Sequence, residues 1–195
     1  MGFANNSYLI NKLEVCNFRK FESISVEFER QLTVLVGDNG VGKSTLIDAA
    51  SIALGTLFHK IENAKAHGIT PDDARGAVIK QGDMFDVQSR YPVTIGADGI
   101  VLGENVHWSR SLNTAKGRAT IADAAAVVDA GARLQKLVGS GDTVVLPILA
   151  RYGTDRLWAR TEPKDQSLPN RTRGYEGALQ ASSNDARMNA WFKSQ

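Results

Sequence analysis

Gly37-Asp38-Asn39-Gly40-Val41-Gly42-Lys43-Ser44-Thr45 fills the pattern GxxxxGK[ST] at every fixed position, directly behind the apolar run Leu32-Thr33-Val34-Leu35-Val36. That spacing admits few folds. Loop amides converge on a phosphate chain only where a strand runs into a tight turn and a helix N-terminus adds its partial positive charge. Val34, Leu35 and Val36 favour a buried strand, Gly37, Gly40 and Gly42 permit close backbone approach, and Leu46 to Leu54 carry a helical pattern. Within the loop, Lys43 is placed to neutralise β- and γ-phosphates, Ser44 to ligate Mg²⁺ and Thr45 to support the helix start. A glycine-rich turn that merely caps a helix would account for Gly42 but not for Lys43-Ser44 in register behind a strand.

The 195 residues suffice for one packed domain and are few for a complete two-lobed nucleotide hydrolase. With 43% hydrophobic and 23% charged residues the chain reads as globular, and a net charge of +2 neither demands nor excludes nucleic acid. Cys16 is the only cysteine, so no intrachain disulfide can form and a reducing compartment is expected; on its strand it reads as a small buried hydrophobe. No apolar run approaches the roughly 18 residues of a spanning helix. Met1 to Tyr8 lacks a basic cluster and an apolar signal core, so a cytoplasmic protein without a membrane partner is expected.

Along residues 1–58, Leu13, Val15 and Phe18, then Ile24, Val26 and Phe28, alternate as two strands with one wet face ahead of the phosphate loop and its helix. Lys60 to Gly76 is polar, with Gly68 and Pro71, and reads as loop or broken helix. Over residues 77–112 the period becomes two, with Phe85/Val87, Val93/Ile95 and Val106/Trp108 as strand faces and Ala97-Asp98-Gly99 as turn chemistry, which predicts an antiparallel β-meander. Ser109 to Arg118 reads as a polar, basic loop. Residues 120–152 predict an alanine-rich helix from Ile121 to Val138, capped by Gly139, and a buried strand from Thr143 to Ala150. Residues 153–195 read as a basic loop and the start of a helix at Ser183 to Lys193, with Asn184 as N-cap. From Arg151 on, Arg151, Arg156, Arg160, Lys164, Arg171 and Arg173 outnumber the acids Asp155, Glu162 and Asp165; with no aromatics at stacking spacing beyond Tyr152 and Trp158 they read as a solvated loop rather than a nucleic-acid path.

Asn17-Phe18-Arg19-Lys20-Phe21, the segment Ser25-Val26-Glu27-Phe28 and the run from Leu32 to Ala49 together resemble the N-terminal opening of ABC-type head ATPases of the RecF, Rad50/SbcC, SMC and OLD group. The aromatic-Arg pair upstream and the Asn-Gly inside the loop make this more specific than the phosphate loop alone. The resemblance implies an α/β P-loop NTPase fold, the first lobe of such a head, with antiparallel strands beside the phosphate-loop helix. It also implies ATP and Mg²⁺ as cofactors, Arg19 beside the α-phosphate or base, residues 38 to 45 around the triphosphate, and a role in DNA repair or anti-phage defence. Leu146 to Trp158 is similar to a stretch of the Septu and retron-associated PtuA defence ATPases. Where such heads carry a Gln that senses Mg²⁺ and the γ-phosphate, this chain has Arg151-Tyr152-Gly153, which puts that role in doubt.

Hydrolysis by such a head needs an apolar strand ending in Asp-Glu and a signature loop from an opposing subunit. Neither is written here: Ala124 to Asp129 favours helix, and Leu137 to Asp142 reads as a C-cap and turn. No catalytic residue is therefore assigned. Residues 1–195 read as an N-terminal lobe that binds ATP without turning it over, and whose partners are a C-terminal lobe or second head subunit, with DNA and a nuclease as further candidates. Two other classes fit the phosphate loop: a small P-loop kinase of a nucleoside or metabolite, with Arg151, Arg156 and Arg160 as lid cations, and a non-catalytic nucleotide-binding scaffold. His59, His67 and His107 lie at no metal-ligand spacing, and Asp73-Ala74-Arg75-Gly76 matches the bare DxxG of GTPases without the apolar strand that should precede it.

Overall fold

A computed structural model describes residues 7–82, 84–153 and 171–180. Leu13 and Val15 point inward and Glu14 and Cys16 outward along β1 (Tyr8–Phe18), which pairs antiparallel with β2 (Phe21–Glu27). Asn17, at φ 52°, breaks the period of two, so Phe18 also turns into the core. β3 (Gly76–Gln81) and β4 (Met84–Ser89) form a hairpin by themselves, while β5 (Val93–Val101) and β6 (Glu104–Leu112) join the first pair in a sheet of order β2-β1-β5-β6.

The inner face of this sheet carries Leu13, Val15, Val93, Ile95, Trp108 and Leu112, and α1 (Lys43–Gly55) covers it with Ala49, Ile52 and Ala53. Two polar anchors fix the helix on the sheet. The Trp108 indole N–H donates to the Ala53 carbonyl at 3.1 Å, and the Tyr8 hydroxyl donates to the Leu54 carbonyl at 3.0 Å. Burial pushes the Tyr8 phenol well above its ordinary range, so it stays a neutral donor. A short 3-10 segment, Thr56–Lys60, continues α1 and receives α2 (Ala125–Gly139), where Gly131 lies so close that a Cβ would stand 2.1 Å from the Leu57 carbonyl oxygen.

Several expectations are corrected. Residues 77–112 do form antiparallel strands, but not one meander: β5 pairs with β1 rather than with β4. Ala97-Asp98-Gly99 is not a turn and lies within β5; Gly99 is needed because a Cβ there would meet the Leu9 carbonyl oxygen at 2.0 Å, beside a register shift between Ile10 and Lys12. The turn falls instead at Leu102 and Gly103, both at positive φ. Ser109 to Leu112 belongs to β6, so the basic loop begins later. The left-handed residue ending α2 is Gly141, not Gly139. Cys16 is exposed on the outer face of β1 rather than buried.

The strands expected at Val34 to Val36 and at Thr143 to Ala150 do not form: neither segment lies in a strand. Nor are they buried as expected. Leu32, Val34 and Val36 are 73%, 68% and 89% exposed, and Val145 and Ile148 are exposed, while Val144 and Pro147 are buried. A parallel-sheet strand is buried on both faces and bonded on both edges, and no other described segment supplies those edges. The helix expected at Ser183 to Lys193, with Arg156, Arg160 and Lys164, lies outside the described residues; Arg171–Tyr175 is a 3-10 turn whose buried Tyr175 donates to the Pro147 carbonyl at 2.6 Å. No described helix is long and apolar enough to cross a membrane.

Candidate functional site

The phosphate loop runs from Gly37 into α1, whose first turn holds no acidic residue, so the positive end of the helix dipole is uncompensated by its own sequence. Gly42 is the N-cap at φ 107°, a backbone region that glycine tolerates best. A Cβ there would also stand 2.4 Å from the Phe21 ring. Phe21 thus packs β2 against the loop, and only glycine leaves room for it. The Lys43 ammonium folds back over the loop and donates to the Gly37 and Asp38 carbonyl oxygens at 2.6 and 2.8 Å. A phosphate entering the loop meets a cation already centred on it. Ser44 is exposed and Thr45 half-buried at the helix start, while Asp38, Asn39, Gly40 and Val41 form the exposed rim. The reach of Lys43 and the exposure of Ser44 fit a triphosphate with its Mg²⁺.

A second ammonium lies at the loop that sequence reasoning passed over: Lys20 donates to the Gly40 carbonyl oxygen and lies over the Phe21 ring, 6.0 Å from its centre. The signal was its place beside Arg19 in the β1–β2 turn.

Arg19, at φ 51°, is turned away from Lys20 and into an ion-pair cluster. Its Nε donates to Asp73 Oδ1 at 2.9 Å and its Nη1 donates to Asp48 on α1, while its backbone N–H donates to the Asp73 carbonyl at 2.6 Å. Burial would lower the Arg19 pKa, but the hydrogen bonds and charges of Asp48 and Asp73 outweigh it and hold the guanidinium above its ordinary value. Asp48 also receives Arg151, so the residue standing where a sensor glutamine was sought is tied to the phosphate-loop helix. Asp73 accepts from the backbone N–H and hydroxyl of Thr70, each at 2.9 Å. These groups border an open recess of about 350 Å³.

Arg110, expected in a basic loop, is buried on β6 and donates to the His67 carbonyl at 2.9 Å; burial lowers its pKa. The structure therefore places Lys43, Ser44 and the loop glycines together at the start of α1, sets Lys20 beside them, and commits Arg19 to Asp48 and Asp73.

A family model described as an AAA domain matches residues 12–190. Among curated proteins, the DNA repair protein RecN of Bacillus subtilis (strain 168) is 47% identical over 47 residues, 24% of this chain and 8% of its own length. The DNA replication and repair protein RecF of Lachnoclostridium phytofermentans is 36% identical over 52 residues, 27% of this chain and 14% of RecF. The chromosome partition protein Smc of Methanocaldococcus jannaschii is 39% identical over 93 residues, 47% of this chain and 8% of Smc. The chain thus spans between 8 and 14% of the length of these relatives.

Proposed function

The chain belongs to the AAA domain family, as an N-terminal portion of an ABC-type ATPase of the RecF, Rad50 and SMC group, and from that premise we propose that it binds ATP with Mg²⁺ through residues 37–45. One observation carries the reading: Lys43 lies over the loop carbonyls at the open N-terminus of α1, the charge arrangement a triphosphate needs. Lys43 would move onto the β- and γ-phosphates, the loop amides and the N-terminus of α1 would hold the remaining oxygens, Ser44 would ligate Mg²⁺, and Arg19 would meet the nucleotide near its α-phosphate or base. Mg²⁺ held by Ser44 would supply positive charge against the phosphates.

Closure of two heads over ATP, hydrolysis, and a role in DNA repair or maintenance belong to the same proposal, since the curated relatives are named for DNA repair and chromosome partition. So does a complementary lobe, on this protein or another chain. The outward-facing row Leu32, Val34 and Val36, with no strand beside it among the described residues, favours it, because a strand entering a phosphate loop is ordinarily flanked by strands on both sides. An anti-phage role rests on the resemblance of Leu146 to Trp158, and DNA and a nuclease are its candidate partners. The kinase reading is disfavoured by Arg151, whose guanidinium is engaged with Asp48 rather than held free as a lid cation.

Titration with ATP in Mg²⁺ and in EDTA tests the site. Wild-type protein is expected to bind more tightly with Mg²⁺, and Ser44→Ala to give the same affinity in both, because the hydroxyl contacts the metal. A mutant that keeps the whole Mg²⁺ gain would remove Ser44 from the ligand set. The 195 residues by themselves are expected to bind ATP yet release phosphate at no more than background rate, since no apolar run ending in Asp-Glu is written in their sequence to orient a water. Steady turnover abolished by Lys43→Ala would show instead that the chemistry is complete within them.

A further inference from the structure

We propose that Asp48 is a positioning residue for the nucleotide site, holding the Arg19 guanidinium so that its Nη2 remains free for the anion; this rests on the ATP-binding reading above. Arg19 carries five N–H donors in a rigid plane. Asp73 takes the one on Nε, at 2.9 Å, and Asp48 takes one on Nη1. Nη2 has no partner among the described residues, on a side chain that is 39% exposed. Two carboxylates thus fix the plane from two sides and leave the third corner of the fork.

Two further features separate this from an ordinary surface ion pair. Asp48 lies on α1 at helical spacing from Ser44 (i+4) and Thr45 (i+3), so it continues the face of α1 that opens the phosphate loop. A ligand leaving the loop along that face reaches the recess bordered by Arg19, Asp48, Ser51 and Arg151. A lone carboxylate there would repel an anion, but Arg151 occupies its other oxygen, with Arg151 Nη2 on Oδ1 and Arg19 Nη1 on Oδ2. The charge of Asp48 is thereby shared between two guanidinia, and the cluster of Arg19, Arg151, Asp48 and Asp73 is neutral before an anion arrives rather than negative. Asp48 can therefore orient Arg19 without cancelling the attraction to a phosphate.

The inference is a coupling, so a double-mutant cycle on ATP affinity reads it. With Mg²⁺-ATP as the probe, Arg19→Ala and Asp48→Asn are each expected to weaken binding on the order of tenfold, as for loss of one charge-assisted contact. The double variant should bind no more weakly than Arg19→Ala alone, because Asp48 acts only through the guanidinium. Should Asp48→Asn fail to fold, Asp48→Ser, smaller and equally neutral, takes its place in the cycle. Losses that multiply in the double variant, or wild-type affinity in Asp48→Asn, would overturn the proposal even if that variant melts at a lower temperature. Lys43→Ala in the same series separates the two readings: if it too binds ATP normally, the ATP site itself is wrong, whereas if it alone is weakened, only the role of Asp48 falls.

Discussion

Lys43→Ala is expected to weaken ATP binding ten- to a hundredfold while leaving the melting transition nearly unchanged. The ammonium makes two hydrogen bonds, both to carbonyls of its own loop, so its removal leaves no charged partner unpaired in the free protein. In the complex the same deletion removes charge-assisted contacts to phosphate, which contribute roughly 1.5 to 3 kcal/mol each and set the expected range. Stability of the free chain and affinity for the nucleotide should therefore separate. Lys20 sharpens the test. Its ammonium lies on the Gly40 carbonyl, at the rim of the same loop, and it offers part of the same charge from the opposite side. Lys20→Ala is expected to cost less than Lys43→Ala, because Lys20 lies outside the motif and starts from the turn between β1 and β2. Calorimetric titration of both variants checks the order. An unchanged affinity in Lys43→Ala would remove the ATP site, and a larger loss in Lys20→Ala would move its centre toward the rim.

What could be read from the sequence was what is local. The phosphate loop is one contiguous motif, the outward and inward sides of β1 follow from Leu13, Val15 and their neighbours, and α2 follows from an apolar stripe of period 3.6. What was missed depends on contacts distant in sequence. The pairing of β5 with β1 joins residues such as Val15 and Ile95, and no local signal distinguishes it from a hairpin with β4. Gly99 misled for a related reason: Asp-Gly is turn chemistry by itself, yet here the absent Cβ serves a close approach to Leu9. Cys16 was misplaced because its residue type was read as a small buried hydrophobe, whereas the alternation set by Leu13 and Val15 keeps it outward with Glu14. At the site, Arg19 and Lys20 stand next to each other in sequence but are directed apart by the positive φ of Arg19, one to Asp48 and Asp73, the other to Gly40.

Trp108→Ala is expected to have the largest effect on stability, about 3 to 5 kcal/mol, against the 5 to 15 kcal/mol typical of a whole domain. The indole is fully buried on the sheet's inner face, stacks near Tyr8 with ring centres 6.1 Å apart, and spends its N–H on the Ala53 carbonyl. Removing it opens a cavity under α1 and takes away one of the two polar anchors that fix the helix. Trp108→Phe keeps most of the apolar volume and loses the N–H donor, so it should cost considerably less, with the hydrogen-bond share near 0.5 to 1.5 kcal/mol. Urea unfolding of the three proteins gives the order directly. A loss below about 1 kcal/mol for Trp108→Ala would mean that the core around α1 collapses onto the gap. The effect on nucleotide should be opposite in kind to that of Lys43→Ala: Ala53 lies near the far end of α1 from the phosphate loop, so the folded fraction of Trp108→Ala should retain most of its ATP affinity. Saturating ATP should then raise the midpoint of Trp108→Ala by nearly the wild-type increment, because a ligand that binds only the folded state stabilises it by an amount set by its own affinity. A midpoint that does not respond to ATP would show that the Trp108 anchor at the end of α1 also sets the geometry of the loop at its start.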